Sequence, residues 1–263
     1  MQEWISFSTA FLNSYIESFQ GLTDDQFRNF KIKKEHSLRV VQLSATLSAS
    51  LQFNDNDFQV AYLAALFHDI GRFKQLAEYH TFDDSKSVDH AGCSVSILKE
   101  CGVVKQSGCT DEKLVMKAIE FHNKFELPQN LSERELLHAR LLRDADKLDV
   151  LHVLTTYYTD INSVPNHTLI WELPKANSVS PNVVREIMAG KLVSKKEVVS
   201  ELDVKVMQLS WVYDLNFKPS FEYLLKMRFL EKIYQTLPKN DIIIDIFRKV
   251  KVFVGNRLFE SKN

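Results

Sequence analysis

The sequence of 263 residues predicts an all-α protein, and three observations carry that prediction. Breakers are scarce, with seven glycines and six prolines, which favours long elements over tight turns. Apolar residues recur three and four apart over long stretches, the period of a helix that buries one face. Capping residues stand where those stretches begin, and glycines stand where several of them end.

The elements follow in order. Trp4, Phe7, Phe11, Tyr15 and Phe19 mark a helix over about 4–20. Phe30, Val40, Leu43 and Leu47 mark a second over about 26–51. Asn54-Asp55-Asn56-Asp57 is a turn with N-cap chemistry, and the helix after it, Phe58 to about Ile70, is apolar almost throughout. A helix apolar all round belongs in the centre of a core. Gly71 is expected to stop it in a left-handed conformation, with residues ~72–85 irregular. Helices are then expected from about Ser87 to Glu100, stopping at Gly102, and from Thr110 or Asp111 to near His122. Ser132-Glu133-Arg134-Glu135 matches a capping box and opens a long helix to about Tyr158. Val164-Pro165-Asn166-His167 reads as a loop. Ser180-Pro181 supplies an N-cap and a proline at the first helical position, and Gly190 closes that helix. Further helices fit roughly 195–213, 220–236 and 241–257. Asp241-Ile242-Ile243-Ile244-Asp245 has strand character, but its flanks are helical. The expected organisation is one all-α domain over 1–263.

Composition bounds function by exclusion. Net charge is -1 and the pI is about 6.7, so no global field attracts long nucleic acid or an anionic membrane. A small ligand or a local basic pocket fits better. The N-terminus lacks a basic segment followed by an apolar run, and no apolar stretch is long enough for a bilayer. Three cysteines, Cys93, Cys101 and Cys109, are an odd number without Cys-x-x-Cys spacing. They read as reduced thiols, and the expected location is the cytoplasm.

The strongest local signal is His68-Asp69-Ile70-Gly71-Arg72, at the end of the most apolar helix. Burying an imidazole and a carboxylate there is costly without compensation, and a divalent cation compensates both. Taken alone, the pair reads as a hydrogen-bonded core histidine beside an acid. Its company changes the reading. His36 shares a helix face with Val40, Leu43 and Leu47, and Asp146 follows Leu142 at i+4, so both are expected to face inward.

This ordered set resembles the H…HD…D signature of the HD superfamily of metal-dependent phosphohydrolases. The local words match too: Glu35-His36-Ser37-Leu38-Arg39-Val40, His68-Asp69-Ile70-Gly71-Arg72 and Asp144-Ala145-Asp146-Lys147-Leu148-Asp149. The resemblance spans about residues 25–160. His90 and His122, lying between the pair and the late aspartate, make the order similar to the binuclear branch. The resemblance implies an HD-domain helical bundle, with a catalytic core over 25–160 and a C-terminal helical extension over 161–263. It implies two divalent metal ions, Fe, Mn, Co, Ni or Zn. His36, His68, Asp69 and Asp146 would hold the first, and Asp69 would bridge to the second, which His90 and His122 would also bind.

The activity so implied is hydrolysis of a small phosphorylated metabolite, foremost a nucleotide phosphoester, by in-line attack of a metal-bridging hydroxide on phosphorus. Asp69, Arg72 and Lys147 are the catalytic candidates, and Arg72, Lys86 and Lys147 the substrate-binding ones. Arg72 leads because its fork can bind two phosphate oxygens, whereas lysines by default solvate the surface. Lys74 also lies near the motif. Arg39 and Asp149 are placed to support ligands from behind, and Asp83 and Asp84 to end a loop. His80 and His167 read as surface residues, His138 and His152 as packing, and Cys93 as a small hydrophobe.

Two other classes share the pattern. Some HD proteins with six such ligands hold two irons and cleave C–H, C–C or C–P bonds with dioxygen. A degenerate HD fold can serve as a binding module, against which the intact ligand set speaks. The cyclic-dinucleotide phosphodiesterase branch carries a downstream Gly-Tyr-Pro that this chain lacks. A small phosphorylated partner is expected, with no long nucleic acid and no membrane, and homo-oligomerisation is left open.

Overall fold

Capping chemistry sets the helix boundaries in the computed structural model, which describes residues 3–160 and 173–259. All regular structure among the described residues is helical. The chain divides into two compact units, Met1–Asp149 and Val150–Asn263.

The N-terminal unit begins with α1 (Glu3–Glu17) and α2 (Asp24–Ser50). Thr23 opens α2 with a capping box, its side chain accepting from the Gln26 amide while Gln26 returns the bond. Asn54 caps α3 (Asp55–Phe67). Next come α4 (Ile70–Tyr79), α5 (His90–Cys101), α6 (Val103–Gln106) and α7 (Glu112–Phe121). Ser132 and Glu135 form the expected capping box of α8 (Glu133–Thr159), a helix that continues past the boundary of the unit. The apolar α3 lies in the core, packed by α2 and α7, with Val60, Leu63, Leu66 and Phe67 fully buried. Edge-on rings tie in the flanking helices: Phe11 to Phe67, Phe19 to Phe30, and Phe30 to Phe73.

Three expectations need correction here. The apolar helix stops at Phe67, not Ile70, so His68 and Asp69 sit in the break before α4. Residues 70–79 are helical rather than irregular, because Ile70, Phe73 and Leu76 bury one helical face. Gly71 is no left-handed stop. That role falls to His80, with φ +57, whose amide bonds back to Leu76. Gly71 serves close approach instead: a Cβ there would lie 2.6 Å from the His90 carbonyl and 2.7 Å from the Ser94 amide. This lets α4 lie directly on α5.

The C-terminal unit contains the end of α8, then α9 (Pro181–Met188), α10 (Glu201–Ser210), α11 (Lys218–Lys226), α12 (Phe229–Gln235) and α13 (Asp241–Phe259). Gly190 closes α9 at φ +73, as expected. Asp203 accepts both the amide and the hydroxyl of Ser180, holding the start of α9 on α10. The helix expected over 195–213 shortens to α10, followed by a 3-10 turn at Trp211–Asp214. The one expected over 220–236 is two, broken at Arg228, which takes φ +56. The segment 241–245 is helical. The predicted loop at 164–167, with His167, lies outside the described residues.

Candidate metal centre

His36 projects from the middle of α2, and both it and the two residues in the α3–α4 break are buried. The break has a local cause. Ser94 of α5 donates its hydroxyl to the His68 carbonyl at 2.8 Å and accepts the Gly71 amide at 2.9 Å. One side chain thus serves the end of α3 and the start of α4, where backbone groups would otherwise lack partners. His90 is the first residue of α5, His122 follows the last residue of α7, and Asp146 lies within α8.

These side chains converge in two groups that share Asp69. In the first, Nε2 of His36 and Nε2 of His68 are 3.2 Å apart. Each is 3.5 Å from Asp69 Oδ2. They lie 3.2 and 3.6 Å from Asp146 Oδ1. In the second, Nε2 of His90 and His122 are 3.1 Å apart. They stand 3.6 and 4.0 Å from Asp69 Oδ1, the other oxygen of the same carboxylate. Donors about 2.1 Å from one ion lie roughly 3.0–3.5 Å from each other, so the first group has the spacing of a coordination shell and the second is slightly wider.

The other face of every ring is occupied. Nδ1 of His36 meets Asp149 Oδ2 at 2.7 Å, and Nδ1 of His90 meets Asp84 Oδ2 at 2.6 Å. Nδ1 of His68 meets the Ala65 carbonyl at 2.8 Å, and Nδ1 of His122 the Ile119 carbonyl at 2.7 Å. Each partner is an acceptor, so each Nδ1 carries the proton and donates it, leaving the lone pair on Nε2. Two lone pairs then face each other across 3.2 Å on one side and 3.1 Å on the other. Such contacts repel unless a positive charge lies between them.

Residues behind the rings fix these orientations. Arg39 grips both oxygens of Asp149, at 2.7 and 3.0 Å. Arg72 donates through Nη1 to Asp84 at 2.8 Å, to Gln75 at 2.8 Å and to the Phe82 carbonyl at 2.5 Å. Buried Arg143 donates to the carbonyls of Phe121 and His122, holding the end of α7 that carries His122.

The electrostatics differ between the two groups. Burial works to raise the Asp69 carboxyl, but Lys33, His68, Arg72 and His90 together hold it well below the usual range. Burial likewise opposes ionisation of Asp146, but His36 and His68 beside it hold its carboxyl well below the usual range. Burial would lower His68, but Asp69 and Asp146 raise it. His90 is lowered by burial and by Arg72, and His122 is pushed down to about 3 by burial and by the neighbouring imidazoles.

Of the predicted site residues, His36, His68, Asp69, His90, His122 and Asp146 are brought together. Arg72 borders the same carboxylate: its Nε lies 3.6 Å from Asp69 Oδ1 and has no hydrogen-bond partner. Lys147 is half-buried on α8 beside Asp146. Lys86 is 76% exposed and faces Asp83 at 3.8 Å. Lys74 pairs with Glu78 at the surface. His80 meets Gln26, and His138 meets Asp57. Asp84, Asp89 and His90 form a third acidic and imidazole group. Its members already have partners, Asp84 on His90 and Asp89 on Asn123 and Lys124, so it reads as support for His90.

Sequence reasoning missed Lys33, whose Nζ lies 2.6 Å from Asp69 Oδ2. Its signal was position: it stands three residues before His36 and therefore on the same helix face. It also missed Arg143 and Ser94, whose work is done on backbone carbonyls and amides that no side-chain pattern displays.

An all-helical unit thus gathers histidines and aspartates around a shared carboxylate, a nitrogen and oxygen donor set that could hold a metal ion. Residues 34–151 match the family model of the HD domain. That stretch, running from α2 into α8, is thus similar to the HD domain of a superfamily of metal-dependent hydrolases. No curated protein matches the chain, and no solved structure does. None of the described helices is long and apolar enough to cross a membrane.

Proposed function

We propose that the chain is a metal-dependent phosphohydrolase acting on a small phosphorylated metabolite, foremost a nucleotide phosphoester. One observation carries this reading: two pairs of Nε2 lone pairs face each other at 3.2 and 3.1 Å, flanking the two oxygens of Asp69. Nε2 of His36, Nε2 of His68, Asp69 Oδ2 and Asp146 Oδ1 would hold one divalent ion. Asp69 Oδ1 with Nε2 of His90 and His122 would hold another. Nitrogen and oxygen donors without sulfur suit Fe, Mn, Co, Ni or Zn. Bound there, two such cations would bring the pKa of a water near neutrality and offset charge on a phosphate oxygen.

The chain's own residues would do the rest. Asp69 would be a ligand to both ions, since its two oxygens face different groups. Arg72 offers Nε–H beside Asp69 Oδ1, while its Nη1 is anchored to Asp84 and Gln75. That anchoring would orient the unpartnered Nε–H for a phosphate oxygen. Lys147, next to Asp146 in sequence, is the second candidate for the phosphate. Lys86 gains no support from its exposed position. Buried rings on the remaining sides keep the donors from bulk water, which strengthens each charge interaction inside.

The test is metal quantification on protein purified without chelator, followed by phosphate release from a nucleotide panel with Mn, Co or Ni. Metal-dependent release that is unchanged by anaerobiosis is the expected result. Oxygen uptake with a mixed-valence di-iron signal would assign the site to the oxygenase class instead. A fully loaded but inert protein that binds a nucleotide tightly would make it a binding module.

A further inference from the structure

We infer that Lys33 is a resident counter-ion of Asp69 that a divalent cation must displace, so that this lysine sets how tightly the first ion is held. The inference rests on the ligand set proposed above. Lys33 stands on α2 one residue before the span matched by the HD family model. Its Nζ lies 2.6 Å from Asp69 Oδ2, the oxygen that is 3.5 Å from Nε2 of both His36 and His68. The Asp69 side chain is only 3% exposed. A buried carboxylate without a partner is strongly destabilising, so the metal-free chain needs a positive charge there. Lys33 provides it.

A divalent ion at the same oxygen would meet that ammonium as a like charge a few ångströms away, in surroundings with little water to screen it. One of the two has to withdraw. Arg72, on the other side of Asp69, is held by three acceptors on Nη1. Lys33 has one hydrogen bond, a flexible four-carbon stem and the ring of Phe82 at 5.4 Å. Its side chain is 16% exposed, so a path outward exists. Lys33 is therefore the group that yields. A lysine that merely props Asp69 in place would act in the opposite direction, since its loss would loosen a ligand and weaken metal binding.

The experiment titrates Mn²⁺ into metal-free wild-type, Lys33→Met and Lys33→Arg proteins, reading free Mn²⁺ by electron paramagnetic resonance and folding by thermal midpoint. Lys33→Met is expected to bind the first ion about tenfold more tightly or better, the scale of one charged hydrogen bond removed from competition. Its metal-free midpoint is expected to fall, because Asp69 loses its partner. Lys33→Arg keeps the charge and is expected to stay near wild type in affinity. Should metal-free Lys33→Met fail to fold, it is purified loaded, and Mn²⁺ is withdrawn by a competing chelator at graded concentration. Tighter retention than wild type supports the inference; equal or weaker retention overturns it. A wild-type chain that takes up no divalent ion overturns the metal reading itself, whereas uptake with equal affinity in wild type and Lys33→Met overturns only the role of Lys33.

Discussion

Four imidazoles line the centre, and the pair around His36 sits in a different electrostatic setting from the pair around His122. His36 and His68 face two carboxylates, Asp69 and Asp146, at 3.2–3.6 Å. His90 and His122 face one oxygen of Asp69, at 3.6 and 4.0 Å. The consequence shows in the protonation tendencies, raised for His68 but lowered for His90 and His122. A site rich in negative charge holds a cation more firmly than one made chiefly of neutral rings. The first group is therefore expected to bind tightly and the second to exchange. A second group left short of protein charge is also the one with more to gain from an anionic substrate.

The largest effect is expected where the two groups meet. Asp69→Ala removes an oxygen from each and leaves Lys33 and Arg72 beside four imidazoles. Both ions and all activity should go, with metal content by mass spectrometry as the check. Retention of full metal content would remove Asp69 from the ligand set. His122→Ala touches one group only. It should leave about one ion per chain and lower activity by some 10²-fold or more, and loss of both ions would show that the two groups bind as a unit.

Support behind the rings offers a finer comparison. Asp149→Ala should weaken the first ion by about 10–100-fold and Asp84→Ala the second by a similar factor, the usual scale for partners of ligating histidines. Sequential Mn²⁺ titration separates the two. If either change weakened both ions equally, the supports would not be private to their groups.

The residues that converge were legible in the sequence because several of them are chemically expensive where they stand. An imidazole on the buried face of α2, or an aspartate among leucines on α8, needs a partner. Composition and periodicity likewise disclosed most helices. The path of the chain through the site was less legible. Gly71 looked like a stop because glycine favours left-handed turns, but its use is the approach of α4 to the backbone of His90 and Ser94, 19 and 23 residues further along the chain. The left-handed stop fell to His80 and the later break to Arg228, neither of them a glycine. Lys33 escaped because a lysine on a helix is ordinarily a solvated one, and its burial is set by where α4 lies rather than by its own neighbours in sequence.

The smallest effect concerns acid. In the metal-free chain His122 is held down to about 3 by burial and neighbouring imidazoles, against about 6.5 for an unfolded histidine. Between those values the unfolded chain takes up a proton on this ring that the folded chain refuses. Stability must then rise with pH across that window and fall as acid is added below about 6.5. The contribution of one such group approaches about 1.4 kcal/mol per pH unit once pH is well below 6.5. His68 has the opposite sign: its raised folded pKa adds stability below 6.5 that is lost as pH rises through the folded value. Urea melts of metal-free protein at pH 6.5 and 5.5 should therefore show wild type losing about 1 kcal/mol more than His122→Ala over that step. Equal losses would mean that His122 is charged in the folded chain. The lone-pair contact with His90 would then be a shared proton, and the second group would need no cation to hold it together.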